Sequence, residues 1–282
     1  MRVFPTLTFL ALAAASLAQN PFATAPVQTA PVSDYDLKHV KVVLDVDYPN
    51  RTINGVATNT LTPTKEGLRA IVLHAGANLE IIAASLNGVK VQPVREGENV
   101  KLGFEWKNDQ PVSGFKFEPG KDVVVTVTYR TKNEKAGGLM GFAGWHWIQP
   151  TELDPNRIGF WTQGETQVNR MWAPTWDYPN DFATSETITT VPKDWTVVGN
   201  GVLVDNTVKG TRRTFHWKMT QPHATYLLSL VGGPFDVKMD KWQDVPLWYV
   251  VPRGRGKLIE DSFGDTKDML TFYSDRYGVK YP

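Results

Sequence analysis

The sequence has no cysteine. Disulfides, thiolate nucleophiles and cysteine-ligated metals are therefore excluded, and stability has to come from a packed core. It also lacks an excess of either charge. Thirty basic and 29 acidic residues leave a net charge of +1, so no basic field for nucleic acid and no acidic solvating tail is present. Long apolar runs are missing too. The one N-terminal stretch, Phe4 to Ala15, is too short for a comfortable membrane span. No helical H-E-x-x-H zinc site occurs, since none of the five histidines is followed by Glu and no two stand four apart. A G-x-S-x-G elbow, a Walker loop and a dinucleotide fingerprint are likewise absent. A hydrophobic fraction of 41% still allows a sizeable core in a chain of 282 residues.

The chain opens with a targeting pattern. Arg2, the apolar run and the small residues around Ser16-Leu17-Ala18 read as a signal peptide over residues 1–18. The mature protein is then expected to be exported, to a periplasmic, cell-surface or extracellular location, with no membrane span left after cleavage. Residues 19–31 carry Ala and Pro without periodicity and read as a flexible lead.

From His39 the pattern becomes β. Val40, Val42, Leu44, Val46 and Tyr48 alternate with polar neighbours, the period of a half-buried strand. Ile53 to Leu61 reads as the returning strand after a Pro49-Asn50 turn. Leu68–Leu73, Leu79–Leu86, Val89–Val94 and Val123–Tyr129 come next, with hairpin turns at Asn87-Gly88 and Pro119-Gly120. Ser185–Val191, Trp195–Val198, Thr211–Met219, Tyr226–Val231 and Pro246–Val251 complete the set. Many short strands with turns between them indicate an antiparallel sandwich or stacked sheets. Residues 131–182, rich in Gly, Trp and Pro, are too long for an idle loop. Near the end, Leu258, Phe263, Thr266, Met269, Leu270, Tyr273 and Tyr277 fall near helical spacing, and Gly278 stands where a C-cap would.

His39, His74 and His216 fall in expected strands and read as sheet residues. His146, between Trp145 and Trp147, reads as part of a packed aromatic cluster. The dense stretch from Thr162 to Asp181 allows two readings. One aims a carboxylate into a cleft. The other, favoured by composition, is a structural corner fixed by Pro174 and Pro179, with Asp177 capping a turn.

That stretch carries a resemblance. Thr162-Gln163-Gly164-Glu165, then Arg170, then Pro174-Thr175-Trp176-Asp177-Tyr178-Pro179 resembles the N-terminal domain of the gluzincin zinc aminopeptidases, the family of aminopeptidase N and the leukotriene hydrolase. Val191-Pro192-Lys193, Val198-Gly199-Asn200-Gly201 and Pro222 to Leu228 are similar to further stretches of that family, in the same order. The family's serine before Asn-Gly is Gly199 here, and its M-S-T is His223-Ala224-Thr225.

The resemblance implies a saddle-like antiparallel β-sandwich domain over residues 32–236. Residues 237–282 would hold the first strand and helix of a thermolysin-like catalytic domain. It implies that Glu165, with Gln163 beside it, binds the free α-amine of a peptide substrate. It supplies no catalytic residue and no metal ligand in this chain; zinc is expected in the full-length protein, and peptide N-termini as its substrate. Because the chain stops after an apolar helix, the reading frame is expected to continue into G-x-M-E-N and H-E-x-x-H. The alternative is a secreted, non-catalytic β-sandwich binding module or scaffold.

Overall fold

The computed structural model describes residues 31–107, 110–132 and 144–281; for 104–107 and 110–113 only the backbone is described. The expected signal peptide, and all but the last residue of the expected lead, lie outside these residues. The first strands are β1 (Tyr35–Asp47), β2 (Thr52–Pro63), β3 (Ile71–His74), β4 (Leu79–Leu86) and β5 (Val89–Val91). They are followed by β6 (Val94–Glu96), β7 (Asn99–Leu102), β8 (Phe104–Lys107), β9 (Gln110–Gly114) and β10 (Val123–Thr131). Next come β11 (Trp145–Ile148), β12 (Gly159–Thr162), β13 (Phe182–Pro192), β14 (Thr196–Gly199) and β15 (Val202–Lys209). The last are β16 (Arg212–Ala224), β17 (Leu230–Gly233), β18 (Phe235–Trp242) and β19 (Val245–Pro252), before helices α1 (Leu258–Phe263) and α2 (Thr266–Tyr277).

Eight strands form the main sheet, in the order β15-β16-β13-β1-β2-β10-β4-β5. All its pairs are antiparallel except β1 with β13, which run parallel from His39↔Thr184 to Asp45↔Thr190. The alternation in β1 sets its faces: Val40, Val42, Leu44 and Val46 are buried, and Val43 and Asp45 are exposed. Those buried residues share one core with Ile71 and Leu73 of β3, Val100 and Leu102 of β7, and Phe160, Val197 and Leu230. That core joins the main sheet to a three-stranded sheet, β3-β7-β6, and a four-stranded one, β11-β12-β17-β14. The protein is mainly β, as the alternation indicates.

Local chemistry explains the turns. Asn87 (φ 48°) and Gly88 (φ 81°) both take left-handed conformations, which a two-residue hairpin with right-handed strand twist requires. The Asn87 side chain also accepts from the Val124 amide at 2.8 Å, tying the turn to β10.

Several expected boundaries move. The strand at Leu68–Leu73 begins at Ile71, and Val89–Val94 divides into β5 and the start of β6. Tyr226–Val231 is not one strand. Thr225–Leu227 forms a 3-10 turn and only Leu230 onward joins the sheet, because Asn side chains from two other segments take up the carbonyls between them. The C-terminal helical spacing resolves into α1 and α2, separated by Gly264 and Asp265. Gly278 does cap α2, at φ 67°.

β18, β19 and α1 have a small core of their own, Tyr249, Val251 and Ile259 with Leu247 beside it. α2 buries none of its residues. It is tethered by polar contacts, Trp242 Nε1 donating to Thr271 Oγ1 at 2.8 Å and Lys267 paired with Asp240 at 2.7 Å. Met269, Phe272, Tyr273 and Tyr277 are exposed, an apolar face with no cover among the described residues.

Candidate functional site

The stretch from Thr162 to Asp181 leaves β12 and crosses the core before entering β13. Its first step continues the β11–β12 ladder, since the Gln163 amide donates to the Gly144 carbonyl at 2.9 Å. Gly164 is then buried against the neighbouring backbone. A Cβ there would stand 2.1 Å from the Tyr226 carbonyl oxygen, so only glycine fits. Glu165 comes next, in a turn, and is exposed. Its peptide bond to Thr166 is cis. No hydrogen bond or ion pair holds the Glu165 carboxylate among the described residues, and Gln163 is half-buried. Gln163 and Glu165 thus both lie just beyond the end of β12, the first half-buried and the second exposed.

Beyond Glu165 the chain is anchored in the interior. Asn169 is fully buried. Its Nδ2 donates to the Thr225 carbonyl and, at 3.1 Å, to that of Leu228, and its Oδ1 accepts from Trp172 Nε1 at 2.8 Å. Thr225 Oγ1 in turn donates to the Trp176 carbonyl at 2.7 Å. Asn200 closes the other side, accepting from the Ser229 amide at 2.7 Å and donating to the Leu227 carbonyl at 2.9 Å. Three stretches distant in sequence are therefore knitted together behind Glu165: 162–181, 198–201 and 222–229.

Arg170 and Asp177 form the second anchor. Asp177 Oδ2 accepts from the Arg170 backbone amide at 3.1 Å and from its Nε at 3.0 Å. Arg170 also reaches Glu98 Oε2 at 3.3 Å. Burial pulls the Asp177 carboxyl up, to about 6, against the Arg170 contacts that pull it down, so at neutral pH it remains ionised and paired. Asp177 thus does more than cap a turn, the one structural role its sequence context suggests.

His74 supplies the acceptor for the Asp177 amide, through Nδ1 at 2.9 Å. Its backbone bridges Thr175, and its ring packs edge-on to Tyr178 with centroids 4.8 Å apart. Desolvation, with the Arg170 charge second, holds its pKa down to about 4. His74 is indeed a sheet residue, but also a strut of this segment, a role its position in β3 could not reveal.

A histidine whose folded pKa is depressed contributes stability above its ordinary 6.5, and loses it as pH falls toward 4. His74→Asn keeps an acceptor near Nδ1 and removes the titration. The stability of wild type relative to this variant should fall by about 3 kcal/mol between pH 6.5 and 4, measured by urea unfolding. The raised Asp177 pKa acts in the opposite direction, but it is common to both proteins and cancels. A constant difference across that range would contradict the assignment.

His146 sits on β11 opposite Trp161 and stacks on it, with centroids 4.1 Å apart and 16° between planes. This fits the aromatic reading, although Trp161 is 41% exposed. For a metal the donor set does not fit: among the described residues no group of three or more His, Cys, Asp or Glu is placed to hold one.

Residues 33–227 match the Peptidase M1 N-terminal domain family, well over half of the chain. An aminopeptidase N of Acetobacter pasteurianus is 31% identical over 122 residues, covering 43% of this chain and 34% of that protein. Transcription initiation factor TFIID subunit 2 of Drosophila melanogaster is 22% identical, covering 88% of this chain and 23% of its own length. Among solved structures, an M1 zinc metallopeptidase from Deinococcus radiodurans superposes with a TM-score of 0.68 at 24% identity, over 87% of this chain and 54% of that one. The likeness to that structure concerns the fold, and the chain spans about a third or less of the length of these two sequence relatives. With the family's domain matched from the start of β1's lead to the 3-10 turn behind Glu165, this chain belongs to the Peptidase M1 N-terminal domain family.

Proposed function

We propose that this chain is the N-terminal part of an exported zinc aminopeptidase, and that Glu165 anchors the α-amine of its peptide substrates. The observation that carries the reading is the state of Glu165: an exposed carboxylate with no partner among the described residues, on a turn whose flanks are fixed by buried contacts. A peptide's terminal amine is a cation over most working pH values, with an ordinary pKa of about 8. A carboxylate with no partner of its own meets it in a charge-assisted hydrogen bond without first breaking another one. Fixing the amine fixes the distance to the scissile bond, which makes cleavage exo. Gln163 would line the same pocket.

Zinc and the water it activates would come from a further domain, since the described donors here cannot hold a metal. The uncovered face of α2, with Met269, Phe272, Tyr273 and Tyr277, is the surface on which such a domain would pack. The chain alone should neither bind zinc one-to-one nor hydrolyse aminoacyl-anilides. The same domain joined to one bearing H-E-x-x-H should do both and should spare N-acetylated substrates. Tight stoichiometric zinc in the chain alone, with activity that a chelator removes, would overturn this division of labour. The similarity to a transcription-factor subunit supports a second reading, a scaffold retained for protein contacts. It predicts that the joined protein stays inactive with zinc bound.

A further inference from the structure

One face of the β11–β12 ladder points away from the core. Trp145, Trp147 and Phe160 turn inward, where Trp145 stacks on Phe160 with centroids 4.3 Å apart. Alternation therefore puts His146 and Trp161 on the other face, directly opposite each other, and Gln163 stands on that face one step further along. Across the sheet the row continues with Val231, paired to Trp161. No charged side chain stands in this row. Glu165 lies four residues beyond Trp161, no more than about 14 Å along even a fully extended chain.

We propose that the Trp161–His146 pair is the wall against which the side chain of a peptide's N-terminal residue stacks, so that the site prefers N-terminal residues carrying a flat ring. This rests on the reading of Glu165 as the amine anchor. The parallel stack with His146 covers one side of the indole and fixes its orientation, so little rotamer freedom is lost when a ring meets the other side. Burial keeps the His146 imidazole below its usual pKa, an uncharged backing at neutral pH. The row of Trp161 and Val231 offers stacking and apolar contact but no partner for a charged side chain.

The test is a two-dimensional NMR titration of this chain, following the Trp161 indole N–H against L-phenylalaninamide and L-alaninamide. Phenylalaninamide should bind about 5-fold more tightly and shift that resonance. Trp161→Leu should abolish the preference, and Trp161→Phe should retain most of it. Glu165→Gln should weaken both amides by a similar factor and leave their ratio intact. Equal binding of the two amides by wild type, a ratio unchanged in Trp161→Leu, no response at tens of millimolar, or a response to a neutral oligosaccharide instead would overturn the proposal. If Glu165→Gln alters neither amide while Trp161→Leu removes the preference, the ring wall stands and the amine anchor falls.

Discussion

Arg170→Ala is expected to destabilise the fold by about 3–5 kcal/mol, because removing one member of a buried ion pair leaves the other uncompensated. Asp177 is 1% exposed, and Arg170 supplies two of the contacts to its Oδ2. The backbone amide of residue 170 would remain, but the guanidinium contacts to Asp177 and Glu98 would go. Tyr178, whose ring faces the guanidinium at 5.5 Å, would lose that contact as well. Equilibrium urea unfolding measures the loss. A change below about 1 kcal/mol would place this pair among ordinary surface bridges and remove it as an anchor.

The second large effect is expected at Asn169. Asn169→Ala strands two buried carbonyls, those of Thr225 and Leu228, and the Trp172 indole N–H. Each unsatisfied buried group costs about 1–3 kcal/mol, and partial relief by water brings the expected total to about 3 kcal/mol. Asn169→Asp keeps the acceptor for Trp172 but has no N–H for the two carbonyls, so it should recover little. Because Asn169 ties the Glu165 turn to the Thr225 turn, the alanine variant should also raise amide exchange in both segments. Exchange raised in only one of them would show that they are held independently.

Local chemistry was legible in the sequence, and long-range pairing was not. The alternation at Val40–Val46 gave the buried face of β1, Asn87-Gly88 gave a hairpin turn, and Gly278 gave a helix cap, each because a few adjacent residues decide the matter. The edge strand β15 went unread. Val202, Val204 and Val208 are exposed there and a register shift interrupts its pairing, so no clean period of two survives. Tyr226–Val231 looked like a strand because its composition is strand-like, but side chains of Asn169 and Asn200 claim the carbonyls of Thr225, Leu227 and Leu228. At the site, the motif pointed to Glu165, Arg170 and Asp177. The contact from the Asp177 amide to His74 spans 103 residues, and no local pattern encodes it. Of the two readings of 162–181, the structural corner is the one the structure shows, built from Arg170 to Pro179, and Glu165 stands exposed on the turn before it.

The most direct measurement of the central claim is kcat/KM for a peptide with a free N-terminus, in the domain joined to a zinc-bearing catalytic domain, with and without Glu165→Ala. Losing a charge-assisted hydrogen bond to the amine should remove about 1.5–3 kcal/mol of transition-state binding, a fall of roughly 10- to 160-fold. The N-acetylated peptide, which has no amine to hold, should be a poor substrate for both proteins and show no such difference. An unchanged kcat/KM for the free peptide would contradict the account and take Glu165 out of the site.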